Sequence, residues 1–557
     1  MIRRRAIALF VVLIFIGDSL TAQLRLPAII SNNMVLQRNI KIPVWGWASP
    51  KEKVTVSFKK KNYNTIADDN GKWSLQLDAC SAGGPYQMTV KSPSQSIDIS
   101  NILVGDVWLA SGQSNMEFGI QQERSGAEAI AAATDTSIRF FYVPMASSLQ
   151  VMDEIGAVPA GSLNGKWVVC SPEIMANKNW AWHGFSAAGY YFARNIRKAA
   201  KVPVGMIGSY KGGTPAQAWT SIEALKEDTT FSRYIITHQR LVDNYEQAKI
   251  DYPQKQTAFQ AATKQWTTEI GKPYDSLLLV WEKATAEAKA AGTALPARPQ
   301  LAKPKPAAPP APDGGFGATG NLYNAMIAPL IPFALKGVIW YQGESNADKI
   351  SDAREYAILF PTMITDWRHR WKQGDFTFLF VQLTNFKPAA KTPSEGTWPW
   401  LRESQLRTLS LPNTGMAVTT DIGEANDIHP KNKLDVGIRL ALAARHVAYK
   451  EKIVYSGPVY KSMSVVGNKI RITFTHADKG LTSKLNETNL SGFGIAGADQ
   501  KFVWAKATIE GNTIIVYSDE VPNPVAVRYN WADNPPGNLF NKEGLPASPF
   551  RTDNWQQ

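Results

Sequence analysis

Four short polar segments carry the residue types that could do chemistry, and each one follows an apolar run. They contain Ser114, Gly213, Gln342 and His429. A serine ahead of a helix exposes its hydroxyl and can aim its own N–H at a developing oxyanion. A glycine turn lets backbone N–H groups approach a ligand, while an amide and a histidine add a donor and a base. One such segment is typical of a turn, but four in the order Ser, Gly, Gln, His indicate a single site.

The neighbour of His429 distinguishes it from the other five histidines. Of the six, only His429 lies beside an Asp at a junction between a predicted strand and a predicted helix, in the segment Asp427-Ile428-His429. No two histidines have the i, i+4 spacing with a carboxylate that zinc sites use. We therefore expect neither a metal nor another cofactor.

The elements that position these segments alternate between strands and helices. Buried strands are predicted at 104–110, 204–210, 337–341, 376–383 and 415–421, and helices at 185–199 and 434–449. This alternation predicts an α/β fold whose parallel sheet is covered by helices on both faces. Sheets of this kind place their sites at the carboxyl ends of the strands, where the four segments lie.

The flanking parts of the chain have other patterns. Short alternating runs predict a β-sandwich over residues 23–100 and a further β unit over 452–557. Between them, the α/β domain would comprise 101–221 and 314–451, interrupted by a helical insertion at 222–313. In this insertion, apolar residues recur at helical spacing from 231 to 245, Pro253 is predicted to interrupt the helix, and the Pro-rich tract 296–312 should be extended. We expect the insertion to lie near the rim of the site, where packing on the domain surface is favoured over contact with the substrate.

The composition excludes several classes of protein. With 557 residues, 44% of them hydrophobic, the chain can bury several cores. The formal charge is +13, but Lys and Arg are spread along the chain, which argues against nucleic-acid binding. Of the 18 Trp, we expect most in cores and some on surfaces suited to sugars. Two cysteines, Cys80 and Cys170, make no disulfide framework, although an exported protein could join them.

The first 22 residues have the pattern of a signal peptide. Three arginines at 3–5 precede an apolar run over 6–17, and Thr21-Ala22 offers a cleavage site. The run is too short to span a bilayer comfortably, and no later apolar run is long enough. We therefore expect export to the periplasm or the extracellular space, as a soluble mature protein of undetermined oligomeric state.

Taken together, these segments resemble a known family. GDVWLASGQSNMEF, GGTPAQAW, GVIWYQGESN and DIHPKNKLDVGIRLALAA are similar to signature blocks of sialate O-acetylesterase-like proteins, a branch of the SGNH (GDSL-like) hydrolases. The similarity covers most of the chain after residue 22, apart from the insertion. It implies an SGNH-type sheet and a serine esterase that removes acetyl groups from carbohydrate hydroxyls.

The resemblance also implies roles for individual residues. Ser114 matches the nucleophile, Gly213 the backbone oxyanion donor, Gln342 the side-chain oxyanion donor and His429 the general base; the Ser114 N–H would complete the oxyanion hole. SGNH hydrolases usually carry Asp three residues before the His, where this chain has Asn426.

The carboxylate that orients the histidine, the third member of a Ser-His-acid triad, therefore has to come from another residue. Asp427 is favoured, Glu344 is the alternative, and a dyad oriented by a backbone carbonyl is the third arrangement. A carboxylate in this role should lie about 2.6–3.2 Å from Nδ1 of His429. Two other functional classes stay open: a non-catalytic carbohydrate-binding protein, and a serine hydrolase of another acyl ester.

Overall fold

The computed structural model describes residues 23–178, 180, 182–484 and 489–555. The predicted signal peptide, 1–22, lies outside the described residues. The described chain begins with strands β1 (Val35–Gln37), β2 (Ile42–Trp47), β3 (Lys53–Phe58), β4 (Lys61–Ile66), β5 (Lys72–Leu77) and β6 (Gly83–Lys91). β2 pairs with β5, and β4, β3 and β6 form an antiparallel sheet. The N-terminal region is therefore β-rich, as its alternating pattern predicts.

One long strand joins this region to the central sheet. β7 (Ser96–Gly112) pairs through its first half with β6, and its second half lies in the middle of the central sheet. The predicted domain limit at residue 100 thus falls within a strand, because no turn signal interrupts the apolar run after it.

The central sheet is parallel apart from one edge strand. Its other members are β8 (Ile138–Tyr142), β9 (Trp167–Val169), β10 (Val204–Tyr210), β11 (Gly337–Tyr341), β12 (Thr377–Val381) and β13 (Thr414–Ala417). The strand order is β13-β12-β11-β7-β10-β8-β9, in which only β9 is antiparallel to its neighbour. The α/β class and the five predicted parallel strands are confirmed, with ends that differ by a few residues.

Helices cover both faces of this sheet. The described helices are α1 (Ser114–Glu117), α2 (Gly126–Ala131), α3 (Pro172–Met175), α4 (Ala187–Ala200), α5 (Ile222–Lys226), α6 (Ser232–Trp266), α7 (Lys272–Ala291), α8 (Ile350–Trp371), α9 (Thr397–Arg407) and α10 (Leu434–Val447). Of these, α6 and α7 bury no side chain and are not part of the two layers. On one face α4 packs against α10, where a side chain at Gly437 would meet Tyr191 at 2.5 Å. On the other face Phe360 of α8 contacts Trp340, Phe378 and Phe380. Among the described residues, no helix has the length and apolar character of a membrane span.

The predicted insertion divides into two parts. Its first residues belong to the body, because Ile222, Leu225 and Phe231 are buried. α6 and α7 then run on through a π-helical turn, Thr267–Gly271, without a buried side chain in either helix. Tyr234 and Ile235, near the start of α6, still pack against the body. Beyond them the two helices form an arm rather than a layer packed on the domain surface, so the predicted packing is wrong for most of their length. Pro253 lies inside α6 and does not end it, because on an exposed helix water can bond the carbonyl that proline leaves free.

The Pro-rich tract lies along this arm. Indole N–H groups of Trp266 and Trp281 donate to the carbonyl oxygens of Lys303 and Pro296, both at 2.9 Å. The tract returns to the body near Gly314, where an added Cβ would lie 2.7 Å from Leu241. The two ends of the arm are therefore close together.

Removing the arm is expected to leave the body intact. A variant with residues 242–312 replaced by a short Gly/Ser linker should keep its melting temperature within a few degrees and its activity on a small acetyl ester within about twofold, since no side chain of α6 or α7 is buried. Calorimetry and ester hydrolysis measure both. A large loss of either would show that the arm supports the body.

The C-terminal region is a separate β unit. Its strands are β14 (Val459–Val466), β15 (Lys469–Thr475), β16 (Leu481–Ser483), β17 (Phe493–Ala496), β18 (Val503–Trp504), β19 (Lys506–Glu510), β20 (Thr513–Tyr517), β21 (Ala526–Tyr529), β22 (Leu539–Asn541) and β23 (Phe550–Arg551). They form the sheets β14-β15-β20-β19 and β18-β17-β21-β23, with β16 paired to β22. A core of its own includes Ile472, Ile495 and Val516. Cys80 and Cys170 are both free thiols, so no bridge joins them.

Candidate active site

Three of the four predicted segments meet where adjacent strands end. In the register of the sheet, Gly112 of β7 lies between Tyr210 of β10 and Tyr341 of β11. The segments that follow these strands must therefore start side by side at the carboxyl edge. The fourth segment reaches the same edge from the connection between β13 and α10.

Ser114 lies at the start of α1, on a turn held against the neighbouring strand. Gly112 has φ +134°, and a Cβ there would come within 2.2 Å of the Tyr341 carbonyl oxygen. Gln113 N–H donates to that same oxygen at 3.0 Å. Gly112 is thus required for the close approach, and Ser114 is partly exposed while its neighbours in the turn are buried.

His429 contacts the Ser114 hydroxyl directly. Its Nε2 lies 2.9 Å from Ser114 Oγ, within hydrogen-bonding distance. Partial burial lowers the pKa of His429, the positive charge of Lys433 lowers it further, and the charge of Asp427 raises it. The lowered pKa favours the neutral imidazole near pH 7, which is the form that accepts a proton.

Neither predicted carboxylate lies within hydrogen-bonding distance of His429 Nδ1. Asp427 Oδ1 is 3.8 Å from Nδ1 and instead accepts the backbone N–H of His429 at 2.8 Å. The predicted distance of about 2.6–3.2 Å is therefore not met, because the side chain is taken up by capping its own turn. Glu344 is buried and accepts from Asn115 Nδ2 rather than from the imidazole.

A buried polar network lies behind the Ser114–His429 pair. The ammonium group of Lys433 is fully buried and donates to Asn115 Oδ1 at 2.6 Å and to the Pro430 carbonyl at 2.7 Å. Asn115 Nδ2 donates to the Ile428 carbonyl at 3.0 Å and to Glu344. The residue after the nucleophile and the residues on either side of His429 are thus joined through Asn115 and Lys433.

This network carries two opposite buried charges. Burial lowers the pKa of Lys433 to about 7, although the Glu344 carboxylate opposes that shift. Burial likewise raises the pKa of Glu344, against the effects of Asn115 and Lys433. The ammonium also lies 4.7 Å from the centre of the Phe118 ring and 5.5 Å from that of Tyr341. Carboxylate and ring faces together offset the cost of burying the cation.

The Gly213 segment presents a backbone donor next to Ser114. Gly212 N–H donates to Glu117 Oε2 at 2.6 Å, and the following residue, Gly213, is in the left-handed region at φ +71°. Among the described residues, the N–H groups of Ser114 and Gly213 donate to no protein acceptor. Both are therefore available to an oxyanion.

Gln342 is fully buried, and its amide is already used. Its Nε2 donates to Thr214 O at 3.2 Å and to Asn346 Oδ1 at 2.7 Å, while its Oε1 accepts from Tyr356. Within the described residues it has no spare N–H for an oxyanion, contrary to the predicted role. Its bond to Thr214 instead holds the Gly213 turn in place.

Comparisons with known proteins cover nearly the whole chain. The family model described as "Carbohydrate esterase, sialic acid-specific acetylesterase" matches residues 313–446. The chain is 27% identical to the sialate O-acetylesterases of Mus musculus and Homo sapiens, over 94% of its own length and 94% and 92% of theirs. The crystal structure of a carbohydrate acetylesterase from Xanthomonas citri is 37% identical, with a TM-score of 0.75, and covers 96% of this chain and 100% of that one.

This chain belongs to the sialate O-acetylesterase-like family of carbohydrate esterases. The family assignment agrees with the resemblance of the four segments and makes the protein an esterase. It also agrees with the placement of those segments at one edge of the sheet.

Reasoning from the sequence of this esterase missed several residues of the site. Asn115 directly follows Ser114, and Lys433 comes four residues after His429, so polar residues inside these two segments were the available signal. Glu117 comes three residues after Ser114, and its carboxylate accepts the Gly212 N–H in the turn that contains Gly213. Trp182 comes from a distant segment and lies edge-on to the His429 ring, with centroids 5.1 Å apart. No local pattern points to Trp182.

Proposed function

We propose that this protein is an exported serine esterase that removes O-acetyl groups from carbohydrates through an acetyl-serine intermediate. The observation that carries the proposal is the 2.9 Å contact between His429 Nε2 and Ser114 Oγ, together with the backbone N–H groups of Ser114 and Gly213, which bond no acceptor in the described part of the chain. A base, a nucleophile and oxyanion donors at one strand edge are the parts that acyl transfer requires.

The reaction would proceed in two halves. His429 takes the Ser114 proton as Oγ attacks the acetyl carbonyl, and the oxygen of the tetrahedral intermediate accepts from the N–H groups of Ser114 and Gly213. The C–O bond to the sugar then breaks, and His429 gives its proton to the leaving sugar oxygen. Water, deprotonated by His429, attacks the acetyl-serine, and acetate leaves as the proton returns to Ser114.

Asp427 is proposed to support His429 by charge rather than by a hydrogen bond. At 3.8 Å from Nδ1, with 44% of its side chain exposed, its attraction for the imidazolium is screened by solvent. The turn that it caps also fixes the backbone of His429.

Asp427→Asn should therefore have a modest effect, about tenfold in kcat/KM. Where the carboxylate bonds the ring directly, the equivalent change costs about 10⁴ in kcat. Because the Asp427 charge raises the pKa of His429, its removal should move the acid limb of the pH–rate profile to lower pH. A pH series of initial rates measures both effects. A loss near 10⁴, or an acid limb displaced to higher pH, would contradict this account.

Export is part of the proposal and has its own test. The basic start, the apolar run and the small residues at 21–22 support removal of residues 1–22. Full-length protein expressed in a bacterial host should accumulate outside the cytoplasm with Gln23 as its first residue. N-terminal sequencing that finds Met1 in the accumulated protein would contradict this part.

The activity is tested with a panel of substrates. A chromogenic acetyl ester, acetylated sialic acid and acetylated neutral plant glycans should show acetate release from at least one carbohydrate. A series of esters with longer acyl chains should show a preference for acetyl. Preference for long chains would favour a hydrolase of another acyl ester, and complete inactivity would favour a binding protein.

A further inference from the structure

A second pocket lies where the catalytic and C-terminal units meet. It has a volume of about 190 Å³ and lies between the loop that precedes α9 and the sheet containing β17, β18 and β21. Its walls include Ser394, Glu395, Gln500, Phe502, Trp504 and Arg528. None of these residues belongs to the site around Ser114.

The pocket has a fixed aromatic surface. Trp504 is 37% exposed, and its indole N–H donates to the Lys391 carbonyl at 2.8 Å, which sets the orientation of the ring. Phe502, two residues earlier, is half-buried and backed by the Arg528 guanidinium, 4.3 Å from its ring centre. A ring face held in place without a ligand is suited to the apolar face of a sugar, because little order has to be gained on binding.

The polar floor of the pocket is also rigid. Arg528 donates to both oxygens of Asp553, at 2.8 and 3.1 Å, and forms an ion pair with Glu395. The other Glu395 oxygen accepts from the indoles of Trp400 and Trp531, both at 3.2 Å. Two carboxylates therefore neutralise Arg528, the one cation among the residues that line the pocket in the described chain.

The charge balance indicates which sugars fit. An acidic sugar needs a free cation for its carboxylate, and Arg528 is already fully paired. Hydroxyl groups need only donors and acceptors such as the exposed Ser394 and Gln500 side chains. The volume is below the roughly 300–1,000 Å³ of pockets for drug-sized ligands, which suits a single ring.

The loop that borders the pocket is also connected to the catalytic histidine. Asn385 Oδ1 accepts from Gly423 N–H at 2.7 Å, and Lys387 N–H donates to the Ala425 carbonyl at 2.9 Å. These contacts hold the segment that leads to His429. The same loop continues to Glu395 at the pocket, so a glycan held there is held on the catalytic unit itself.

We propose that this pocket binds one neutral sugar ring of a glycan chain and that the enzyme deacetylates neutral polysaccharides. The polysaccharide substrate rests on the esterase activity proposed above, whereas the binding of a sugar ring in this pocket does not. Trp504 and Phe502 take the apolar face of the ring, and Ser394 and Gln500 bond its hydroxyl groups.

Binding is tested on the full-length protein with ligands that cannot be turned over. Titration calorimetry with a cello-oligosaccharide and a xylo-oligosaccharide, both without acetyl groups, should show binding of at least one. Trp504→Ala should weaken it about tenfold or more, as expected for a central aromatic contact. Ile509→Ala is the matched control, because Ile509 is also 37% exposed on the same β unit, and it should bind as the wild type does.

The outcomes separate this proposal from the esterase proposal. Gln500→Ala, which alters an exposed side chain, should also weaken binding and guards against misfolding of the Trp504 variant. Equal binding by the wild type and both variants, absence of binding to both oligosaccharides, or binding of free sialic acid alone would overturn the subsite. Trp504→Ala should keep the wild-type rate on a chromogenic acetyl ester and lose rate on an acetylated polymer. Loss of the small-ester rate in Trp504→Ala would also count against the subsite. A wild-type protein that binds the oligosaccharide but hydrolyses no ester would overturn only the proposed esterase activity.

Discussion

Ser114→Ala will lower the rate of acetyl-ester hydrolysis by about 10⁴-fold or more while the protein stays folded. Loss of the nucleophile alone removes most of the catalysis in serine hydrolases, about 10⁶ in kcat in a well-studied case. The Ser114 hydroxyl contacts His429 and is partly exposed, so no core packing is lost with it. Initial rates and a thermal melt of the same preparation provide the measurement.

The control for this change is another partly buried serine near the start of a helix. Ser125 precedes α2, and its side chain makes no cap hydrogen bond. Ser125→Ala should keep the wild-type rate and melting temperature. A folded Ser114→Ala protein with more than about a tenth of the wild-type rate would contradict the assignment of the nucleophile.

Lys433→Met will have the second largest effect, a loss of about 10²-fold or more in kcat with little change in KM. Methionine is similar in length but cannot make the hydrogen bonds by which Lys433 holds Asn115 and Pro430, the residues next to Ser114 and His429. Misplacement of reacting groups by about 1 Å can cost 10²-fold. Lys431→Met, an exposed neighbour in the same segment, should be neutral.

The charge of Lys433 gives this prediction a further readout. Because the ammonium lowers the pKa of His429, its removal should move the acid limb of the pH–rate profile to higher pH, opposite to Asp427→Asn. Other carboxylates near Lys433, namely Glu123, Glu344 and Glu424, stay in place in this variant. An unchanged acid limb together with an unchanged kcat would show that Lys433 does not act on His429.

The buried charges of Lys433 and Glu344, both bonded to Asn115, can be tested through stability. Removing one of two compensating buried charges is destabilising, by up to about 3–5 kcal/mol for a directly paired charge, because the other is left uncompensated. Lys433→Met combined with Glu344→Gln should therefore be more stable than either single variant. Additive losses in the double variant would indicate that the two charges do not compensate each other.

The sheet could be predicted from the sequence because its strands are buried on both faces. Runs such as 204–210 and 337–341 are mainly apolar and are followed by a polar residue and a glycine, so their ends agree with the structure. The polar segments after them had to gather at one edge, since parallel strands end together. The contact between Ser114 and His429 is a consequence of that topology.

Contacts that depend on a single side-chain rotation could not be predicted in this way. Gln342 stands at the expected strand end, but its amide turns to Thr214 and Asn346 instead of the oxyanion position. Asp427 lies beside His429 in sequence, yet it bonds the backbone N–H rather than the ring. Pro253 does not end α6, contrary to the prediction, because water can bond the backbone carbonyl that proline leaves free on an exposed helix.

Trapping of the acyl-enzyme tests the central claim most directly. The wild-type protein, mixed with a chromogenic acetyl ester and quenched in acid within its first turnovers, should yield an acetylated peptide containing Ser114 on mass spectrometry. Ser114→Ala should yield none, and Ser125→Ala should behave as the wild type does. Acetylation of a different residue during turnover, or full turnover with Ser114 never acetylated, would contradict the assignment of Ser114 as the nucleophile.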